Sequence, residues 1–189
     1  MKRIIAAVKK MRRNGEEQAL YRNQPLAEEV LARLEALDDP DEGPLGKAFA
    51  CEAMVDLLPE YDIPRFTLKL LRRELEWLQE SEEQDERLTP EDVQAHIARL
   101  EDYIDVDRVS MQEFCEKHGR HLKFDPVERT QRWEDIYPEV EAACERRLKG
   151  VPRGMGFCFG YWAARHDILL QYGIDWKSPH MMNPRVMFD

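Results

Sequence analysis

Apolar residues recur at the three- and four-residue spacing of an α-helix along most of the chain. Residues 25–37 and 65–81 carry the clearest leucine stripes, and 47–58, 89–104, 110–118 and 125–148 repeat the pattern. Helix-start signals precede three of these stretches, at Thr89-Pro90, Ser110 and Asp125-Pro126. We predict an all-α fold, a multi-helix globular bundle of about eight helices joined by short loops. Residues 121–124 are the one candidate strand, and Pro138 is expected to kink or split its helix.

The stretch from Gly154 to Tyr172 reads as one further helix whose apolar positions run nearly all the way round. Such a helix is expected to be buried on most faces. Gly160 costs about 1 kcal/mol relative to alanine inside a helix, so we expect another backbone to pack closely against it. Gly173 is expected to end the helix as a C-cap.

Residues 174–189 are rich in apolar side chains but have no period, and Ser178-Pro179 and Asn183-Pro184 are turn signals. An extended C-terminal tail packed on the body is predicted, because so apolar a segment is poorly suited to hang free in water. The large apolar groups of the tail are Trp176, Met181, Met182, Val186, Met187 and Phe188.

The N-terminal segment, residues 1–13, is basic: six lysines and arginines and no acidic residue lie between positions 2 and 13. Ile4, Val8 and Met11 share one helical face. One interpretation is a helix that binds a membrane surface or nucleic acid. The other, which we favour, is a first helix packed on an acidic body. Further along, the Asp-rich stretch 38–46 is predicted to be a solvated loop, because it lacks the spacing of a calcium-binding EF-hand.

Length and charge narrow the class of protein. The 189 residues predict a single helical domain over 1–189. A formal net charge of −10 argues against non-specific nucleic-acid binding. No apolar run approaches the roughly 20 residues of a membrane helix, and the N-terminus does not have the pattern of a secretory signal. Four widely spaced cysteines predict free thiols and a cytoplasmic protein.

A candidate metal site is Cys115 with His118 and His121, since a cysteine and a histidine three residues apart share a helical face. A fourth ligand would have to come from Cys144 or Cys158 through the fold. We therefore favour a core cysteine beside two loop histidines, and expect neither a metal nor a cofactor.

Cys158, His166 and Asp167 combine the side chains of nucleophilic catalysis. Eight residues of helix place the cysteine and the histidine roughly 12 Å apart, however, so they are not expected to touch. No catalytic residue is assigned from the sequence.

The third candidate is an anion site at the start of the helix that follows Gly150. Unsatisfied backbone N–H groups, flexible glycines and an arginine favour an anion such as phosphate or carboxylate. Arg146, Arg147 and Lys149 add local positive charge. The residues expected to line this pocket are Arg153, Gly154, Gly156, Tyr161, Trp162 and His166.

Two classes of function remain open. We favour a protein that acts through contacts with a protein partner or as a homo-oligomer. The alternative is a small enzyme or ligand-binding protein with an anion-preferring pocket between Arg153 and His166, and a regulator that uses its basic N-terminal helix ranks third. An exposed apolar face on a leucine stripe would favour the first class, and a buried polar pocket beside Arg153 the second.

Overall fold

The computed structural model describes residues 2–37 and 43–188, and in these ranges the chain is helical with no named strand. The prediction of an all-α fold is confirmed. Residues 121–124 are irregular rather than a strand. The described ranges contain α1 Lys2–Glu16, α2 Gln24–Glu35, α3 Pro44–Val55, α4 Pro64–Glu80, α5 Pro90–Ile104, α6 Met111–Lys117, α7 Gln131–Arg147, α8 Phe157–Gln171 and α9 Pro179–Met182, with 3₁₀ turns at Leu20–Arg22 and Pro126–Arg129.

The predicted loop over 38–46 is wrong at its end, because Pro44 opens α3. A proline is tolerated in the first helical turn, where its missing N–H would have no partner anyway. Residues 38–42, the rest of that prediction, lie outside the described part of the chain.

The chain divides into two compact units, Met1–Glu101 and Asp102–Asp189, and the boundary falls inside α5. The prediction of one domain concerns cooperative folding and stays a prediction. In the first unit α3 packs along α4 and α1 along α2. The leucine stripes face inward, as their spacing predicts. Fully buried core residues of this unit are Leu31, Leu34, Cys51, Met54, Leu68, Leu70 and Leu71.

The basic first helix is packed into this unit, as we favoured. Ile4 and Met11 of α1 are buried. The Asn14 amide donates to the Asn23 side chain at 2.7 Å, and the Asn23 amide donates to the carbonyls of Met11 at 3.1 Å and Leu57 at 2.8 Å. A buried polar network of this kind fixes α1 in one position because each lost bond would leave a buried group unsatisfied.

In the second unit, the buried side chain of Arg129 closes the carboxyl end of α5. Its guanidinium donates to the carbonyls of Val109 at 2.8 Å, Asp102 at 3.0 Å and Asp105 at 3.2 Å, and also to that of Tyr103. The last carbonyls of a helix have no partner within it, so a cation there satisfies them and opposes the helix dipole.

The helices that carry the candidate site are α7 and α8, which pack against each other. Thr130 caps α7, and the helix continues through Pro138 without splitting, contrary to one form of our prediction. The start predicted at Asp125 is a separate 3₁₀ turn with its own capping box. The core of this unit contains Trp133, Val140, Cys144, Ile168, Leu169, Ile174 and Trp176.

The helix after Gly150 differs from prediction in length and burial. It begins at Phe157, because Gly156 adopts a left-handed conformation at φ +80°. Only Ala164, Ile168 and Leu169 are fully buried, so α8 packs on one side and not on most faces. A Cβ added to Gly160 would meet nothing within 4 Å, which makes the expected close backbone approach wrong.

The end of α8 follows prediction. Gly173, at φ +75°, donates its N–H to the carbonyl of Leu170, and Ile174 donates to that of Leu169. This pair of bonds is the Schellman closure that a left-handed glycine permits. The chain then turns back along the second unit.

The C-terminal tail lies on the second unit but buries less than predicted and contains the short helix α9. Trp176 is fully buried and Met182 and Phe188 are half-buried, whereas Met181, Val186 and Met187 are exposed. Polar contacts hold the rest. The Asn183 side chain bonds the backbone of Lys123 in both directions, at 2.7 and 2.9 Å.

Candidate functional site

A buried cation between four aromatic rings joins α7, α8 and the tail. The guanidinium of Arg165, on α8, lies 4.7 Å from the ring of Trp133, 5.4 Å from Trp176, and 5.9 Å from both Tyr137 and Tyr161. Its side chain is only 12% exposed. Aromatic faces carry negative charge, so each ring stabilises a desolvated cation by up to about 2 kcal/mol.

A carboxylate completes this cluster. Glu141 of α7 lies 3.3 Å from the Arg165 Nε and accepts a hydrogen bond from the Tyr161 hydroxyl at 2.7 Å. The charge of the buried arginine is therefore balanced at its own depth. The cluster fixes the rotation of α8 about its axis, and with it the side chains on the opposite face.

Trp176 is held from three directions. Its indole N–H donates to Glu128 at 2.8 Å, its ring packs 6.1 Å from that of Trp133, and the N–H of the next residue, Lys177, donates to Asp125 at 2.7 Å. These bonds place the tail beside α8. A groove remains between them.

This groove is the candidate site. It has a volume of about 330 Å³ and is lined by α8 on one side and by residues 176–181 on the other. The Phe159 ring lies 5.5 Å from Trp162 and 5.6 Å from His180, both edge to face, and Phe188 stands edge-on to Trp162 at 5.2 Å. The lining residues are Phe159, Trp162, Ala163, His166, Asp167, Trp176, Ser178, His180 and Met181.

The rim of the groove is polar. His166 Nε2 lies 3.3 Å from an Asp175 carboxylate oxygen, and its Nδ1 lies 3.9 Å from Asp167. Asp167 is itself paired with Arg147 at 2.6 Å. Ser178 is the N-cap of α9, where its hydroxyl accepts from the N–H of Met181. These side chains are occupied in structural contacts, and the surface they leave for a ligand is aromatic and sulfur-containing.

Of the six predicted pocket residues, the structure brings two to the groove, Trp162 and His166. Tyr161 belongs to the cluster around Arg165. Arg153 lies over the ring of Phe157 at 5.5 Å and does not line the groove, and neither do Gly154 and Gly156.

The start of α8 offers fewer free donors than an anion site would use. The N–H groups of Phe157 and Phe159 already donate to the carbonyls of Gly154 and Gly156. The left-handed Gly156 causes this, because it closes a tight turn directly before the helix. The anion site stays a prediction.

The two other candidate constellations are not assembled. His166 pairs with aspartates rather than with Cys158. His118 lies 2.8 Å from Asp102, which also holds Lys117 at 2.6 Å, and the Lys117 bond is the larger cause of the lowered pKa of that carboxyl. His121 is exposed, and residues 2–37 and 43–188 contain no group of three metal-ligating side chains. All four cysteines are free thiols.

Sequence reasoning missed Phe159, Ser178, His180 and Met181. The signal available was the density of aromatic, methionine and histidine residues on both sides of Gly173. That density does not reveal which side chains face each other, because the turn at Gly173 sets their pairing.

Large exposed apolar side chains are concentrated in the same part of the chain. Phe159 is 43% exposed and Met181 is 58% exposed at the groove. The leucine stripes, by contrast, are in the core. The remaining exposed apolar residues after Gly150 are Val151, Met155, Leu170, Val186 and Met187.

Comparison with known proteins found no matching family model, no similar curated protein and no similar solved structure. Across the described residues, no helix is both long enough and apolar enough to span a membrane.

Proposed function

We propose that this chain is a protein-binding module and that its groove beside α8 accepts an apolar side chain of a partner protein. The observation that carries the proposal is the exposure of Phe159 and Met181 at the mouth of a concave, aromatic-lined surface. Exposed apolar surface bordered by polar groups is typical of binding sites.

The chemistry of the groove suits a protein side chain. Its volume of about 330 Å³ is at the lower end of the range for ligand pockets. Methionine adapts its shape to different apolar partners, and aromatic rings provide contact area with little loss of side-chain freedom. The imidazoles of His166 and His180 at the rim would give direction by hydrogen bonding.

The test is selection from a displayed library of random peptides, followed by titration of a selected peptide with the Trp162 fluorescence as the signal. We expect the selected peptides to share a large apolar residue. Phe159→Asp and Met181→Asp should each weaken binding by roughly thirtyfold or more, the loss typical of a central interface residue.

Met187→Asp is the matched control, because Met187 is 95% exposed and lies outside the groove. It should leave the affinity unchanged. The proposal fails if no peptide is enriched, or if the groove variants bind a selected peptide as tightly as the control does.

A further inference from the structure

The outward face of α1 is a second unassigned surface, in the first unit and separate from the groove. Arg3, Lys9, Lys10, Arg12 and Arg13 are exposed along this helix, while Ile4 and Met11 on its other side are buried. The positive face extends for about 15 Å at 1.5 Å per residue. None of the five forms an ion pair with any residue in the described part of the chain.

Ile5 stands on this basic face and is 45% exposed. The surface is therefore cationic with an apolar group within it. The asparagine network around Asn23 holds the helix in place, so these side chains are presented from a fixed backbone.

The same unit carries a surface of opposite character. We call residues 80–86 the acidic segment; Glu80, Glu82, Glu83 and Glu86 in it are exposed. These four glutamates form no ion pair with a described residue. A cleft of about 490 Å³ lies beside them, with Glu83, Glu86 and Glu91 among its lining residues and Leu45, Leu78 and Leu88 as its apolar part.

We propose that α1 of one copy binds the acidic segment and its cleft on a second copy of this chain. The two surfaces match in charge, and the exposed Ile5 matches the leucines of the cleft. Because they do not pair within a chain, a second copy is needed to bring them together. A two-fold axis would form the contact twice, since each copy carries both surfaces.

A second copy fits better than a lipid or a nucleic acid. The apolar side of α1 is in the core, which leaves only Ile5 to enter a membrane. Six of the 28 basic residues lie in 2–13, and all 38 acidic residues lie outside it. A phosphate surface would therefore meet an acidic protein around a small basic face.

Sedimentation velocity of the full chain tests the proposal. We expect dimers at about 0.01 M salt and monomers at about 1 M, because the screening length falls from roughly 30 Å to 3 Å. The α1 variant Lys9→Glu/Lys10→Glu/Arg13→Glu and the acidic-segment variant Glu82→Lys/Glu83→Lys/Glu86→Lys should each weaken self-association at low salt by at least about tenfold.

Mixing the two variants is the decisive arm. Each then offers the charge that the other lacks, at both contacts of a two-fold dimer, so a heterodimer should form at low salt. Arg146→Glu/Lys149→Glu/Lys177→Glu is the matched control. It makes the same change in net charge on exposed residues of the second unit and should not weaken self-association.

The proposal is overturned if wild type is monomeric at low salt, if the control weakens association as much as the α1 variant, or if the mixed variants do not associate. Anionic lipid vesicles and duplex DNA are tested in parallel. Binding of either through α1 by a protein that stays monomeric would assign the face to that partner and refute the dimer.

Discussion

Glu74 is a carboxyl group in the core of the first unit, with only 1% of its surface exposed. Burial raises its pKa to about 8, and the nearby charges of Glu52 and Asp56 raise it further in the same direction. One of its oxygens has no hydrogen-bond partner among the described residues. At neutral pH the side chain is therefore mainly a neutral acid.

This carboxyl predicts a pH-dependent stability. The unfolded chain loses the proton near pH 4.5 and the folded chain only near pH 8, so folding takes up a proton between these values. The free energy of unfolding should fall by up to about 1.4 kcal/mol per pH unit across this window. Urea unfolding of wild type and Glu74→Gln at several pH values measures it.

Glu74→Gln should flatten the pH profile because glutamine has no proton to lose. Glu80→Gln, on the exposed end of the same helix, should keep the wild-type profile. An equal slope in wild type and Glu74→Gln would show that the buried carboxyl is not the titrating group.

Arg165 supports a second prediction at the residue scale. Arg165→Met should destabilise the protein by about 3 kcal/mol, since it leaves Glu141 buried without its cation. Adding Glu141→Gln should recover much of the loss, because glutamine is neutral and still accepts a bond from Tyr161. Denaturant unfolding of the three variants gives the values. A double variant no more stable than Arg165→Met would mean that ring packing, not charge balance, dominates.

The sequence predicts individual residues well only where a local rule applies. The Ser110–Glu113 capping box and the left-handed Gly173 follow from rules that span a few positions, and both are present. The partners of Arg165 come from four places in the chain, and no local spacing links them. Gly160 shows the opposite failure, since a helical glycine has no single meaning.

At the scale of elements, the tail is the part whose removal is most informative. Deleting Trp176–Asp189 removes the fully buried Trp176 ring and the bonds to Glu128 and Asp125. A fully buried aromatic group contributes roughly 1.5–3 kcal/mol, and domains have only about 5–15 kcal/mol in total. We expect a molten or aggregated product, measured by thermal unfolding and dye binding.

The matched truncation removes only residues 186–189. Val186 and Met187 are exposed, so the melting temperature should fall by a few degrees at most. If the longer truncation melts like wild type, the tail is a detachable segment, and its contact with Trp176 is not part of the core.

Element positions were predictable because leucine periodicity and caps report local backbone geometry. The burial of α8 was not. Apolar residues around a whole helix predict burial only if neighbours cover every side, and the described part of the chain leaves Phe159 and Leu170 exposed. The groove therefore arises where the sequence overestimates burial, which is expected at a binding surface.

At the scale of the whole molecule, the all-α class followed from period alone, whereas the division into two units did not. The boundary between Glu101 and Asp102 lies within α5, where the helical pattern is unbroken. Val93 and Leu100 are buried on one side of it and Tyr103 on the other. A helix that contributes buried residues to both units argues for cooperative unfolding, in line with the single domain predicted from length.

Cooperativity can be measured with Trp77→Phe, which leaves Trp133, Trp162 and Trp176, all in the second unit, as fluorescent reporters. Leu34→Ala on this background creates a cavity in the first unit, at a residue with no exposed surface. Such a change costs about 2–5 kcal/mol. If the chain is one domain, the unfolding midpoint of the second-unit tryptophans should fall in step with that cost, because neither unit unfolds without the other. Far-ultraviolet circular dichroism should follow the same curve, and Ile168→Ala in the second unit should behave alike. A fluorescence midpoint untouched by Leu34→Ala, beside a dichroism curve split into two steps, would establish two independently folding units.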